Sequence, residues 1–113
     1  MSALREQRLK FSEMISEFVL WVPKSLPGYQ VVYGEILRGP AQIAWNVAHG
    51  VGIGKTLHQY GLAADLSLYI NGVYQTDTEA YRPLGEEWER RGGTWGGRFK
   101  DGNHFSLEWK GIR

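Results

Sequence analysis

The residues of this 113-residue chain that are best suited to chemistry are a few histidines and acidic residues. The sequence contains three histidines and no cysteine. Without cysteine the chain has no disulfide, no thiolate zinc site, no iron–sulfur cluster and no cysteine nucleophile. Any metal site or acid–base site must therefore combine histidine with carboxylates. His58 is followed by Asp65, and Asp101 precedes His104 by three residues.

Two imidazoles and one carboxylate, from His58, Asp65 and His104, are the ligand types of a catalytic zinc site. Three N/O ligands leave one coordination position open, as catalytic zinc sites require. Hydrolysis also needs a carboxylate that accepts a proton from water, and Asp101 is close enough to His104 in sequence to serve. The spacing leaves a plainer interpretation open, in which His58 is a loop histidine, Asp65 a solvated strand residue and Asp101 a turn former.

A bend in the chain is needed to bring His58 and Asp65 together. They are seven residues apart, so one straight strand would direct their side chains to opposite faces. Gly61 lies between them, and glycine accepts the backbone conformations that a sharp bend requires. Asp65 and His104 each fall on the polar side of an alternating segment, a pattern typical of a sheet with one covered and one open face.

The hydrophobic pattern predicts an α+β fold, with a small antiparallel sheet and helices packed on one of its faces. The predicted elements do not follow a βαβ rhythm. We expect Pro23 to close the first helix, Thr78 to cap the third, and Asn71-Gly72 to form a hairpin turn. The periodicity predicts helices over residues 2–22, 40–48 and 79–91, and strands over residues 29–37, 62–70, 73–75 and 104–109.

Composition excludes several classes of protein. The chain is 42% hydrophobic, with 13 basic and 12 acidic residues and a net charge of +1. A nucleic-acid-binding module usually has a basic excess, so we expect no nucleic acid partner. No stretch approaches ~20 apolar residues, and charges interrupt the N-terminus, so neither membrane insertion nor a secretory signal is expected. The small size and low charge are compatible with a monomer.

Two segments of the chain resemble the signatures of a zinc peptidase family. Thr56–Asp65 resembles Ser-x-His-x-x-Gly-x-Ala-x-Asp, the signature of the D-alanyl-D-alanine carboxypeptidases and L-alanyl-D-glutamate endopeptidases. Trp95–Phe105 resembles the family's second signature, in which Trp-Gly-Gly and Asp-x-x-His-Phe supply the base and the third ligand. Gly34–Arg38 resembles the Gly-Glu-x-x-Arg segment of the short phage and prophage endolysins of this family. The resemblance extends over nearly the whole chain.

The resemblance implies a metal centre, a base and a fold. It assigns one zinc ion per chain to His58, Asp65 and His104, and the role of general base to Asp101. It also implies the fold of the hedgehog and DD-peptidase proteins, with the zinc cleft on the sheet face that the helices leave open. In such a site, zinc activates a water molecule and polarises the scissile carbonyl.

The resemblance further suggests three substrate contacts. Arg38 matches an arginine that lies near the substrate carboxylate or the developing oxyanion, the alternative being a surface salt bridge with Glu35. Thr56 stands where the family usually has serine and keeps the hydroxyl. Trp95 either lines the cleft or fills the core beneath the glycine-rich loop over residues 92–97. His49 matches no ligand position.

The substrate implied by the resemblance is the stem peptide of peptidoglycan. The expected scissile bond is L-Ala–D-Glu, with a D-alanyl-D-alanine carboxypeptidase as the nearest alternative and a non-catalytic zinc-bearing binding module as another. We expect a single catalytic domain over residues 1–113, with no separate cell-wall-binding domain. An endolysin of this kind would stay in the host cytoplasm, without a signal peptide, until holin-type release gives it access to the periplasmic wall.

Overall fold

The computed structural model describes residues 2–34 and 57–113. The predicted helix over residues 40–48 and the distal part of the first predicted strand lie outside the described residues. Three short 3-10 turns connect the regular elements, over Leu57–Tyr60, Thr78–Tyr81 and Gly96–Phe99. The helices are α1 (Ala3–Ser25) and α2 (Arg82–Arg90), and the strands are β1 (Tyr29–Tyr33), β2 (Ala63–Ile70), β3 (Val73–Tyr74), β4 (Thr94–Trp95) and β5 (His104–Ser106).

The strands form one antiparallel sheet with β2 at its centre. The order is β1-β2-β5-β4, and β3 pairs with the end of β2 that β5 leaves free. Asn71 and Gly72 both have positive φ angles and form the tight turn between β2 and β3. The predicted α+β class and antiparallel sheet are therefore confirmed.

One stripe of α1 packs against the sheet. Phe11, Ile15, Phe18 and Val22 recur at helical spacing, and all four are buried. The Ser2 hydroxyl accepts a hydrogen bond from the Arg5 amide and caps the helix. No helix in residues 2–34 or 57–113 is both long and apolar enough to cross a membrane.

The two helices cover the same face of the sheet. The Phe105 ring on β5 contacts Phe18 of α1 and Trp88 of α2. The Trp88 indole N–H also donates a 2.9 Å hydrogen bond to the Ser106 carbonyl. Because neighbouring side chains of a strand point to opposite faces, the side chain of His104 lies on the face away from the helices.

Several element boundaries differ from the prediction for local reasons. The first helix continues past Pro23 to Ser25, because a proline near the end of a helix removes only one backbone hydrogen bond. The 3-10 turn before α2 is capped by the Asp77 carboxylate, which accepts from the Glu79 amide; Thr78 is already its first residue. The last strand ends at Ser106 rather than at residue 109.

Candidate metal centre and active site

Asp65 and His104 come together because they are cross-strand partners. In the antiparallel pairing of β2 with β5, Asp65 is opposite His104 and Ala64 is opposite Phe105. Directly opposed residues share one face of a sheet. Asp65 Oδ1 lies 3.9 Å from His104 Nδ1, on the face that α1 and α2 leave uncovered.

His58 reaches the same point from the turn that precedes β2. The Gly61 amide donates to the His58 carbonyl, and the Leu62 amide donates to the Leu57 carbonyl at 2.9 Å. Gly61 has a φ of +72°, a left-handed conformation that glycine adopts with little strain. The bend expected at Gly61 is therefore present, and it brings His58 Nε2 to 3.3 Å from Asp65 Oδ1.

The donor set of this cluster fits a zinc ion. One nitrogen of each histidine and one oxygen of Asp65 lie within 4.8 Å of one another. Tetrahedral zinc with N and O ligands places neighbouring ligand atoms about 3.4 Å apart, close to the 3.3 Å between His58 and Asp65. The two imidazoles are 5% and 6% exposed, and the carboxylate is partly buried. Burial also lowers the pKa of His104, which favours the neutral imidazole that binds a metal.

Asp101 lies at the edge of the cluster and is open to solvent. Its Oδ2 is 4.0 Å from His104 Nδ1, and its side chain is about half exposed. The Asp101 amide donates to the Gly96 carbonyl, and the His104 amide donates to the Asp101 carbonyl. Burial raises the pKa of the Asp101 carboxyl, and the charge of Asp65 acts in the same direction, although the two histidines oppose it. A carboxylate with a raised pKa in this position can act as a general base.

Gly96 allows the Asp101 loop to lie against β5. A Cβ atom at this position would overlap the carbonyl oxygen of Asp101 and would come within 2.6 Å of the His104 Cβ. Both neighbours belong to the candidate site, and one of them is backbone that cannot rotate away. The absence of a side chain at Gly96 therefore determines how closely the base approaches the His104 ligand.

Trp95 supports this loop from beneath. Its side chain is 0% exposed, and its indole N–H donates a 2.8 Å hydrogen bond to the Gly102 carbonyl. The guanidinium groups of Arg82 and Arg98 lie 5.5 and 5.4 Å from its ring centre. The substrate contact predicted for Trp95 is not supported, because the buried ring has no surface to offer a ligand. Of the two roles considered from sequence, the structure favours the one in the core.

The other predicted substrate contacts, Arg38 and Thr56, lie outside the described residues, as does His49. The four residues predicted to form the metal site and the base are all described, and the structure brings them together. Their roles as zinc ligands and as base remain predictions that rest on this proximity.

Asp101 also lines a cleft that the sequence did not predict. Its volume is about 200 Å³, and it separates the segment Tyr74–Thr78 from the loop Lys100–Asn103. The buried Tyr81 hydroxyl fixes the first wall, because it accepts from the Leu68 amide and donates to the Gln75 carbonyl. Burial raises the pKa of Tyr81, so this hydroxyl stays protonated. The short polar segments that form this cleft show no periodicity from which it could have been recognised.

Comparison with known proteins agrees with this arrangement. No curated protein sequence matches the chain significantly. The fold is similar to the crystal structure of Serratia marcescens L-Ala D-Glu endopeptidase ChiX, with a TM-score of 0.69 and 24% identity over 96% of this chain and 89% of that chain. The sequence profile of a D-alanyl-D-alanine carboxypeptidase family matches residues 51–107, which include His58, Asp65, Asp101 and His104. Because the match spans half of the sequence, the chain belongs to this D-alanyl-D-alanine carboxypeptidase family.

Proposed function

We propose that this chain is a zinc-dependent hydrolase of the peptide stems of peptidoglycan. The observation that carries the proposal is the convergence of His58, Asp65 and His104 beside Asp101, in a member of a carboxypeptidase family. Zinc held by the first three residues would lower the pKa of a water molecule and polarise the scissile carbonyl.

The burial of each side chain indicates its role in the reaction. The two buried imidazoles and the Asp65 carboxylate would hold the metal on the open face of the sheet. Asp101 is the more exposed carboxylate, so it can accept the proton of the attacking water and return it to the leaving amine. Burial raises the pKa of Asp101, which makes its carboxylate a better proton acceptor and favours the first of these transfers.

The scissile bond in this proposal is L-Ala–D-Glu. The similarity to the Serratia L-Ala D-Glu endopeptidase supports this choice. The second candidate is the D-Ala–D-Ala bond, which the description of the matching family favours. Both reactions are peptide hydrolysis at the same centre and differ in the residues on either side of the bond.

Mass spectrometry of released muropeptides separates these two reactions. Purified peptidoglycan is incubated with the zinc-loaded protein and, in parallel, with an Asp101→Ala variant. Fragments with a new N-terminal D-Glu are expected from the wild type and not from the variant. Loss of terminal D-Ala would assign the carboxypeptidase reaction, and an unchanged peptidoglycan would overturn the proposed function.

A non-catalytic zinc-bearing binding module is the competing class. Such a module needs the three ligands but has no need for a carboxylate beside them. The position of Asp101, with Oδ2 4.0 Å from His104 Nδ1, therefore favours an enzyme. Zinc binding without hydrolysis by the wild type would instead support the module.

In the cell, we propose that residues 1–113 act as one catalytic domain of an endolysin. The chain would remain in the cytoplasm of a phage-infected host and degrade the wall after holin-type release. Synthesis in bacteria is then expected to leave cells intact until the inner membrane is permeabilised, after which turbidity falls. If the protein cleaves isolated peptidoglycan but the cells stay intact after permeabilisation, the endolysin role is contradicted and the hydrolase activity is not.

A further inference from the structure

A lysine that finds no partner among the described residues lies directly beside the proposed base. Lys100 precedes Asp101, lines the same cleft, and is exposed. Its ammonium group forms no ion pair or hydrogen bond with any other residue in 2–34 or 57–113. By contrast, Arg98, two residues earlier, is held by two hydrogen bonds from its guanidinium to the Glu89 carboxylate. Lys100 is therefore a cation that its described surroundings leave available to a ligand.

Lysine is an unexpected residue at position 100 because the backbone there is left-handed. Its φ of 63° and ψ of 32° are left-handed, a conformation that glycine adopts with much less strain than a residue with a side chain. Lys110 also has a positive φ, 48°, but its ammonium lies 5.3 Å from the centre of the Trp109 ring. Among the residues that the structure describes, none makes such a contact with the Lys100 side chain to offset the strain. The Lys100 amide donates to the Gly96 and Gly97 carbonyls and ends the turn, so the backbone is fixed there while the side chain stays exposed.

The position of the base indicates which part of the substrate enters the cleft. To return a proton to the leaving amine, Asp101 must lie close to that nitrogen. The substrate residue that carries this nitrogen is therefore next to Asp101, which lines the cleft. In both candidate bonds this residue carries a free carboxylate: the α-carboxylate of D-Glu, whose side chain continues the stem, or the terminal carboxylate of D-Ala.

An anionic group entering this cleft would meet an unfavourable charge. Asp101 lines the cleft, and its carboxylate is an acidic group there. Asp101 is about half exposed, so water weakens its repulsion of a substrate carboxylate, and a cation in the cleft would offset what remains. Of the described residues that line this cleft, Lys100 is the one with a cationic side chain, and the opposite wall, Tyr74–Thr78, contributes hydroxyl and amide groups.

We infer that Lys100 binds the free carboxylate of the substrate residue on the leaving-amine side and so selects substrates that have one. The inference rests on the proposed function, since it takes the direction of the substrate from the role of Asp101. The cleft would then prefer a substrate with a free carboxylate over the same substrate with a carboxamide.

Two peptides that differ in one group test this preference. For the endopeptidase reaction, stem peptides are prepared with the α-carboxyl of D-Glu either free or as a carboxamide. If the chain proves to be a carboxypeptidase, the terminal carboxyl is instead left free or amidated. We expect the wild type to have a KM for the acid lower by about two- to fivefold, the range for one accessible ion pair. Lys100→Met should abolish the difference with kcat little changed, and Lys100→Arg should restore it.

Two further variants separate binding from folding. Lys100→Gly should lose the acid preference while its melting temperature rises, because glycine relieves the left-handed strain. Lys110→Met, at the other left-handed lysine, should keep the wild-type preference. A Lys100→Met enzyme that still prefers the acid would overturn the inference and leave the proposed function intact.

The inference can also be judged if no peptide is cleaved. In that case the proposed function fails, and binding of the leaving-side fragment, as acid and as amide, is measured by titration calorimetry. Tighter binding of the acid by the wild type, with no preference in Lys100→Met, would support a carboxylate subsite. Equal affinity of the wild type for the two fragments would overturn it.

Discussion

Asp65 and His104 are opposite each other in the β2–β5 ladder, although 39 positions separate them in the sequence. Their neighbours Ala64 and Phe105 form the next pair and are buried on the helix side. A register shift of one residue would turn one of the two candidate ligands toward the core. The packing of Phe105 against α1 and α2 therefore fixes the geometry of the cluster from the opposite face of the sheet.

Removal of one ligand should abolish zinc binding. We expect His58→Ala to lose most of the bound metal, because two ligands cannot hold zinc with comparable affinity. Zinc at about 100 times its Kd should stabilise the wild type by about 2.7 kcal/mol and leave the variant unchanged. Thermal unfolding with zinc and with a chelator measures both effects. Glu108→Gln, an exposed acidic residue on the last segment, is the control and should respond to zinc as the wild type does.

Replacement of the base should separate binding from catalysis. Asp101→Asn keeps the shape of the side chain and removes its ability to accept a proton. We expect kcat to fall by about 10²- to 10⁴-fold while the zinc content stays at one per chain. The zinc content and the hydrolysis rate are measured for the wild type and for the variant. Glu86→Gln, on the exposed surface of α2, is the control. Full activity in Asp101→Asn would show that another group is the base.

Enlargement of Gly96 should displace the base and the His104 ligand together. A methyl group there overlaps the Asp101 carbonyl oxygen, so the loop must shift away from β5. We expect Gly96→Ala to lower stability by about 1–3 kcal/mol and to reduce kcat. Gly72→Ala is the matched control: its position has open space around it but a positive φ, so it should lose about 1–2 kcal/mol and keep its activity. Equal kcat in the two variants would contradict the role given to Gly96.

Trp95 should affect the reaction through the loop and not through substrate binding. Trp95→Phe removes the hydrogen bond to the Gly102 carbonyl, at an expected loss of about 1–2 kcal/mol of stability. A moderate fall in kcat with KM within about twofold is expected, because the loop carries Asp101. Trp88→Phe loses a comparable bond to the Ser106 carbonyl and is the matched control. A large rise in KM for Trp95→Phe alone would restore the substrate contact first predicted for it.

The ion pairs of α2 should make stability depend on pH. Hydrogen bonds from Arg90, and then from Arg91, lower the pKa of Glu87. A carboxyl whose folded-state pKa is lowered contributes stability above its unfolded pKa and loses it as the pH falls through the folded value. Glu87→Gln should therefore lower the free energy of unfolding by about 1 kcal/mol at pH 7 and have little effect near pH 2. Urea unfolding at both pH values measures the difference, and a constant difference would contradict the assignment.

The sequence predicted long elements better than short ones. Period-two alternation places β2 within one residue of its observed start, and helical spacing identifies the buried stripe of α1. The two-residue strand β4 was expected to be part of a loop, because two residues among glycines show no alternation. Its pairing with β5 is decided by tertiary packing, including the burial of Trp95.

The candidate site was predicted from ligand chemistry and motif resemblance, not from spacing. Residue types alone could not decide between a metal ligand and a loop histidine at His58, because the pairing of β2 with β5 that brings His104 to Asp65 is a tertiary outcome. Lys100 was missed for a similar reason. Its significance lies in a backbone angle and in the absence of a described partner, and neither is visible in a sequence.

The Tyr74–Thr78 wall of the cleft and the metal cluster lie on separate stretches of the chain. The Tyr74–Thr78 segment carries none of the clustered residues, and its support is the hydroxyl of Tyr81. Substitutions in this segment can therefore alter which peptide is accepted without disturbing the reacting centre. Diversification of this wall, by natural variation or by directed evolution, is a route by which one hydrolytic scaffold could acquire preferences for the walls of different bacteria.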